Sequence, residues 1–210
     1  YTVEQFEAVR SRLSVDGVFC QWLPLHQLDL DTLRSIVRSF QAAFPSGGAV
    51  LATYSLETPV IGLVGRADGG RFDASALRRR MEKVSARTRE FGLDDEIALF
   101  GALLADARAL QRFAGDAPLN TDDRPVVAYR APRLVYAPDS APRERLAALL
   151  PAMRLARGAL VDDAGDAPWS ERVERYRRAR DGFILAGMAV RPNADPLAML
   201  SQVRTPLLAA

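Results

Sequence analysis

Apolar residues near the start of the chain recur at helical spacing and then merge into an almost unbroken apolar run. Four of them lie three to four residues apart: Val3, Phe6, Val9 and Leu13. Thr2 stands three residues before Gln5, the spacing of a capping box, so we predict a helix that begins at residue 3 and ends before the turn at Asp16–Gly17. The apolar run Val18–Leu23 predicts a strand covered by helices on both faces, as in a parallel sheet.

A second helix and a hairpin follow. Apolar residues again step by three and four: Leu30, Leu33, Val37, Phe40 and Phe44. This spacing predicts a helix that starts near Asp29 or Asp31 and stops before Pro45. The β-rich runs 49–54 and 60–65 are separated by only five residues, which requires an antiparallel hairpin because a helical crossover needs a longer connection.

This order of elements predicts an α/β fold. We interpret residues 1–66 as the C-terminal half of a Rossmann-type domain of the class I S-adenosylmethionine kind, a parallel sheet that ends in an antiparallel hairpin. No glycine-rich phosphate loop accompanies this half. We therefore expect that the chain starts in the middle of a domain, and that the sheet has an unpaired edge through which the isolated chain aggregates or pairs with itself.

Residues 67–135 are predicted as a helical extension that caps the edge of the sheet. Leu77, Met81 and Val84 indicate one helix, and the apolar positions from Ile97 to Leu110 indicate another that ends near Gly115.

The remainder of the chain reads as a polar loop, a short strand and a tail. Asn120–Pro125 has the composition of a loop, and Val126–Arg130 reads as a short strand that Pro132 stops. Residues 136–142 have linker composition, and residues 143–210 predict an all-helical tail.

Composition and charge exclude several classes of protein. The 28 basic residues are balanced by 26 acidic ones, which argues against a nucleic-acid partner. No apolar run reaches the roughly 18 residues that a membrane span needs. Cys20 is the single cysteine and His26 the single histidine, so the sequence predicts neither an internal disulfide nor a metal site. We expect a cytoplasmic protein.

In open α/β sheets a ligand lies beyond the carboxyl ends of the strands, which directs attention to Gln21–Gln27 and Tyr54–Pro59. The Gln21 carboxamide would contact either a substrate amine or a backbone group. Trp22 would either line the pocket or fill the core, and we favour the core. His26 would act as a general base or be an ordinary hydrogen-bonded loop histidine.

Asp122 and Asp123 offer two carboxylates in the polar loop. They would either bind a cationic substrate or accept loop amides while Arg124 bridges to the sheet, and we favour the structural role.

Three strings of residues resemble the spermidine synthase-like aminopropyltransferase family. They comprise Tyr1 and Thr2 with Gln5 and Phe6, then Gly17–Leu25, then Asn120–Pro125. The likeness covers roughly residues 1–133 and is greatest to long bacterial members in which this domain follows a multi-helix membrane segment.

The resemblance implies transfer of an aminopropyl group from decarboxylated S-adenosylmethionine to an amine such as putrescine. The family's catalytic aspartate and cofactor loop would precede Tyr1, so we expect this chain alone to be inactive and to bind no cofactor. The intact protein would lie in the cytoplasm or at the cytoplasmic face of the membrane, anchored by an upstream segment.

On this chain the resemblance places one substrate contact. Gln21 matches the glutamine beside the family's polyamine site, and Trp22, His26 and Tyr54 would complete the amine pocket. Leu56 stands about where the family has a tyrosine, which leaves the amine substrate open. The alternatives are a methyltransferase-like enzyme that uses S-adenosylmethionine, and a non-catalytic scaffold whose helical tail binds a protein; a homodimer fits each of them.

Overall fold

The computed structural model describes residues 1–90, 96–135, 141–163, 165–191 and 194–209. They form two compact units, one of Tyr1–Phe72 with Leu103–Val161 and one of Asp73–Ala102 with Asp162–Ala210. In chain order the elements are α1 (Val3–Arg12), β1 (Val18–Pro24), α2 (Leu30–Ala43), β2 (Gly48–Leu51), β3 (Val60–Arg66), β4 (Phe72–Asp73), α3 (Ala74–Glu90), α4 (Glu96–Gly101), β5 (Leu103–Ala105), α5 (Ala107–Ala114), α6 (Val126–Val135), α7 (Pro142–Ala152), β6 (Val161–Asp162), α8 (Ala167–Ala189) and α9 (Pro196–Ala209).

The first two helices begin and end as their cap residues predict. The Thr2 hydroxyl accepts the Gln5 N–H at 3.2 Å, and the Asp29 carboxylate accepts the Thr32 N–H at 2.6 Å. Each side chain thereby satisfies a backbone donor that the first helical turn leaves without a partner. The prediction of both helices is confirmed, and Asp29 rather than Asp31 is the cap of α2.

The main sheet has four strands in the order β1-β3-β2-β5. β3 pairs antiparallel with β1 and with β2, and β5 pairs antiparallel with β2. The hairpin of β2 and β3 is therefore confirmed, but the expectation of a parallel sheet is wrong for the strands described. β1 and β2 do run in the same direction, but they do not pair with each other. β3 lies between them and forms antiparallel hydrogen bonds with both.

Aromatic side chains form the core between the helices and one face of this sheet. Phe6 lies edge-on to Phe40 at 5.6 Å between ring centroids, and Phe44 stacks on Phe40 at 5.1 Å and on Phe19 at 5.6 Å. Such ring pairs add roughly 0.5–1.5 kcal/mol each beyond the burial of their area. α1, α2 and β1 are thereby locked together on this face.

The opposite face of β1 is not covered in the same way. Val18 is 50% exposed and Trp22 is 53% exposed, although both belong to the run that predicts a strand buried on both faces. The outer face of β1 is therefore only partly covered by the described residues, and that part of the expectation is wrong.

The single helix expected from Ile97 to Leu110 is instead α4, β5 and α5. Asp106 breaks the helical run because its carboxylate accepts the Ala109 N–H at 2.8 Å and caps α5. Ahead of it, Ala105 pairs with Ala49 of β2, and this long-range pairing decides in favour of a strand. The end of α5 at Gly115 is as predicted.

Two predictions about the second half of the chain are also corrected. Val126–Arg130 is the start of α6, not a strand, and Pro132 lies inside that helix. The tail is not wholly helical, since β6 pairs with β4 in a two-stranded sheet. Residues 136–140 of the predicted linker lie outside the described residues, and Pro142 already belongs to α7.

In the second unit a buried carboxylate links three helices. The Glu96 carboxylate at the start of α4 accepts from Arg78 Nε of α3 at 2.7 Å and from Trp169 Nε1 of α8 at 3.2 Å. Burial raises the pKa of the Glu96 carboxyl, but its hydrogen bonds outweigh burial and hold the pKa below its ordinary value. Glu96 therefore stabilises this unit in its charged form.

Candidate functional site

The two loops singled out from the sequence meet at one end of the sheet. β1 and β2 run in the same direction on either side of β3, so their carboxyl ends point to the same edge. The Leu25 N–H, just after β1, donates to the Pro59 carbonyl at 2.9 Å, and the Ala52 N–H, just after β2, donates to the Val60 carbonyl at 2.8 Å. The loops 25–28 and 52–59 are thus neighbours, and we call them the paired loops.

Hydroxyl groups fix the second of the paired loops. The Thr58 N–H donates to Ser55 Oγ at 3.0 Å, and the Val60 N–H donates to Thr53 Oγ1 at 3.2 Å. These bonds replace the backbone pairing that the chain gives up after β2. Tyr54 is half-buried within this braced segment.

Gln21 lies on β1, ahead of the paired loops, and is half-buried. Its Nε2 donates to the backbone carbonyl of Trp22 at 3.1 Å, so the backbone contact expected as one of two alternatives is present. No described residue donates to its Oε1 within hydrogen-bond distance. The carboxamide therefore presents an acceptor that a ligand N–H can use.

Trp22 does not fill the core, since half of its side chain is exposed. Its indole lies over Gly62 of β3, where an added Cβ would stand 3.1 Å from the ring. The interpretation of Trp22 as a core residue is wrong: the absence of a side chain at Gly62 lets the ring lie flat on the outer sheet face.

His26 lies in the first of the paired loops, between the buried residues Leu25 and Leu28. Its Nδ1 is buried and finds no hydrogen-bond partner among the described residues. The expectation of an ordinary hydrogen-bonded histidine therefore fails at this nitrogen. A buried ring nitrogen without a partner costs about 1–3 kcal/mol, which makes His26 the polar group here most in need of one.

Two arginines of α7 reach the paired loops, and sequence reasoning missed both. Arg145 Nε donates to the Leu25 carbonyl at 2.7 Å, and Arg143 pairs with Glu57 at 2.7 Å. Burial lowers the pKa of the Arg145 guanidinium, against the opposing influence of Asp29 and Glu144. No local signal links these arginines to loops that precede them by 86 and 120 residues.

The polar loop Asn120–Pro125 is held by Asn120, which is 3% exposed. Its Oδ1 accepts from the Val127 N–H at 3.1 Å, and its Nδ2 donates to the Tyr1 carbonyl at 3.0 Å. Its own N–H donates to Ser39 Oγ, in the second half of α2. Sequence reasoning missed this role of Asn120, because the residue lies six positions before α6 and so gives no local capping signal.

Asp122 and Asp123 are exposed in this loop. Neither carboxylate accepts a loop amide in the structure described; the turn is closed instead by Thr121, whose Oγ1 accepts the Arg124 N–H at 3.1 Å. The polar loop Asn120–Pro125 is anchored on α1 and on the second half of α2, whereas the paired loops adjoin the first turn of α2. The structure therefore does not bring the two aspartates to Gln21.

The glycine pair Gly47–Gly48, between α2 and β2, does not form a cofactor-binding loop. A Cβ on Gly47 would lie 2.5 Å from the Phe40 ring, and one on Gly48 would lie 2.3 Å from Leu160. Both positions are filled by the protein's own side chains, so they leave no room for a nucleoside.

The described parts of the chain hold neither a metal site nor a membrane span. No group of three or more His, Cys, Asp or Glu side chains there could hold a metal ion. No helix in these parts has the length and apolar character to cross a membrane.

Comparison with protein-family models, with curated proteins and with solved structures finds no match for this chain.

Proposed function

We propose that this chain forms the amine-binding wall of an aminopropyltransferase-like enzyme. One observation carries the proposal: the loops after β1 and β2 lie side by side, with His26 on one and Tyr54 on the other, and Gln21 lies on β1 just before the first loop. The proposal assigns the cofactor loop and the catalytic aspartate to residues outside Tyr1–Ala210.

The course of the sheet is compatible with this assignment. β1 and β2 run in the same direction and are joined by α2, and β3 returns antiparallel between them. The hairpin of β2 and β3 is the part of the predicted fold that supports the proposal.

The residues of this chain supply binding and orientation, and no reaction step. Gln21 Oε1 accepts an N–H of the amine, and the Tyr54 hydroxyl can either donate or accept. The imidazole of His26, whose buried Nδ1 has no described partner, can accept or donate a hydrogen bond.

The proposal places the cofactor loop and the catalytic aspartate elsewhere, so this chain should bind an amine without transferring a group to it. Calorimetric titration with putrescine tests this directly. We expect weak binding that Gln21→Leu lowers at least tenfold, which corresponds to about 1.4 kcal/mol for one lost hydrogen bond to a charged group.

The matched control is Gln111→Leu, which makes the same change at an exposed position of α5. It should leave putrescine binding unchanged. If the unaltered chain binds no putrescine at millimolar concentration, or if both variants bind equally well, the amine wall is wrong. Aminopropyl transfer by this chain alone would contradict the assignment of the catalytic parts to residues outside it.

A non-catalytic helical binding surface is the second candidate, because large apolar residues are exposed in the second unit. Leu185 is 53% exposed on α8, and Leu197 and Leu200 are 74% and 61% exposed on α9. Such residues are typical of a surface that binds another protein. Leu197→Ser with Leu200→Ser should then abolish binding of a partner while leaving the putrescine titration unchanged.

A further inference from the structure

The outer edge of β1 has a definite pattern of unused backbone groups. At one end of the strand the Ala67 N–H donates to the Gly17 carbonyl, and at the other the Leu25 N–H donates to the Pro59 carbonyl. Antiparallel pairs alternate, so the odd-numbered residues of β1 exchange hydrogen bonds with β3. The even-numbered residues Val18, Cys20 and Trp22 therefore turn their N–H and C=O groups away from the sheet.

Of the usual protections of an edge strand, the described residues of β1 include only a proline, Pro24, at its end. Val18–Pro24 contains no charged residue, and no described strand pairs with its outer side. Only the Trp22 carbonyl is covered, by the bond from the Gln21 side chain. Natural proteins normally guard such an edge with lysines, prolines or a covering element, since an unguarded edge is a template for another strand.

We propose that β1 pairs with β1 of a second copy of this chain, antiparallel about a two-fold axis at Cys20. This register places Val18 opposite Trp22 of the copy, Cys20 opposite Cys20, and Trp22 opposite Val18. No other register uses all three outward-facing residues, because a shift along the strand leaves at least one of them unpaired or opposite Pro24, which has no N–H.

The exposed side chains of β1 are self-complementary in this register. Val18 and Trp22 have the same parity, so they lie on the same sheet face, and both are about half exposed. Each would cover the other across the axis, twice per dimer. Pairs of an aromatic and a β-branched residue are among the favourable cross-strand contacts, at roughly 0.2–1 kcal/mol.

The size of the contact sets its strength. A tryptophan buries about 150–250 Å² when fully covered, and the half still available on Trp22 is a minor part of the roughly 1,200 Å² that the smallest stable interfaces bury. The dimer should therefore be weak and dependent on concentration. Sedimentation of the chain over a hundredfold range of concentration should show a shift from monomer to dimer.

The single cysteine gives a test of the register that needs no variant. In a hydrogen-bonded antiparallel pair the Cα and the Cβ atoms both lie about 5.5 Å apart, which is too far for the Cβ atoms of a disulfide but within reach of a short cross-linker. A short bismaleimide, each of whose two double bonds adds one thiol without an oxidant, should therefore link Cys20 to Cys20 in the dimer. Because burial raises the pKa of the Cys20 thiol, the reaction should be run above neutral pH.

Trp22→Lys places a charge on the edge and should abolish both the dimer and the link. Tyr129→Lys is the matched control, since Tyr129 is 72% exposed on α6, and it should dimerise as before. A chain that stays monomeric at every concentration overturns the proposal. So does a dimer that Trp22→Lys leaves intact, or a dimer that the bismaleimide does not link through Cys20.

This pairing rests on the edge of β1 and not on the proposed transfer reaction. A longer chain whose additional strand occupies the edge should not dimerise through β1, and its Cys20 should not link. A monomeric short chain would refute the pairing while leaving the putrescine titration untouched, so the two proposals fail separately.

Discussion

Replacing Asn120 by alanine should destabilise the first unit more than any other change in the polar loop. The substitution removes the acceptor for the Val127 N–H and the donor to the Tyr1 carbonyl, and Asn120 is 3% exposed. Water cannot replace both partners at a site buried this deeply. The Val127 N–H at the start of α6 would be left without a partner.

The magnitude follows from counting the two lost bonds. Each buried group that loses its partner costs about 1–3 kcal/mol, so for the two groups together the free energy of unfolding should fall by about 2–6 kcal/mol. Asn120→Asp keeps the acceptor but sets a buried carboxylate oxygen against the Tyr1 carbonyl, so it should cost at least as much. Urea unfolding followed by circular dichroism measures both, together with amide exchange of the α6 segment to assign the loss to this unit.

The control is Asp123→Ala, in the same loop but exposed and without a described contact for its carboxylate. It should change the unfolding free energy by less than about 0.5 kcal/mol. Should Asn120→Ala cost no more than Asp123→Ala, Asn120 does not hold the loop, and the anchoring derived from its hydrogen bonds is wrong.

Two further predictions concern a buried charge and a close contact. The pKa of Glu96 is lower in the folded state than its unfolded value of about 4.3, so Glu96 stabilises the fold above that value and this stabilisation is lost as pH falls through the folded pKa. Acid titration followed by Trp169 fluorescence should show the loss, and Glu96→Gln should remove this pH dependence. Gly65→Ala should lower the free energy of unfolding by about 1–3 kcal/mol, because the added Cβ would lie 2.5 Å from the Phe44 ring. Gly70→Ala, whose Cβ would meet only the Asp68 carboxylate, should lower it much less, and equal effects of the two changes in thermal or urea unfolding would contradict the packing argument.

The helices that the sequence predicted correctly are those with both a cap and an apolar stripe. Thr2 and Asp29 accept the N–H groups that a first turn exposes, and Leu33, Val37 and Phe40 are fully buried, as their spacing requires. Signals of this kind act within one or two turns, so they need no knowledge of the rest of the fold.

Predictions failed where distant residues decided the outcome. Leu103–Ala105 reads as helix, but it is a strand because Ala105 pairs with Ala49. Val126–Val135 reads as strand at its start, but it is a helix whose first turn is bonded to Asn120. Trp22 reads as core, yet it lies half exposed because nothing described covers that face of β1. In each case the sequence gives no local sign of the partner.

The candidate site was predictable in outline because strand ends are local features. Gln21–Gln27 and Tyr54–Pro59 follow β-rich runs, and the structure sets the two loops side by side. The arginines of α7 were not predictable, since contacts across 86 and 120 residues follow no periodicity. Neither was the unpartnered Nδ1 of His26, which depends on what surrounds the ring.

The sequence by itself determined the mixed α/β class, the first two helices and the hairpin of β2 and β3, because periodicity, capping and short connections act between near neighbours in the chain. Only the tertiary structure decided that β3 lies between β1 and β2, and that β1 has an open edge and an open face. Strand order follows from which pairing buries the most apolar surface and satisfies the most backbone groups, and that comparison involves the whole unit at once.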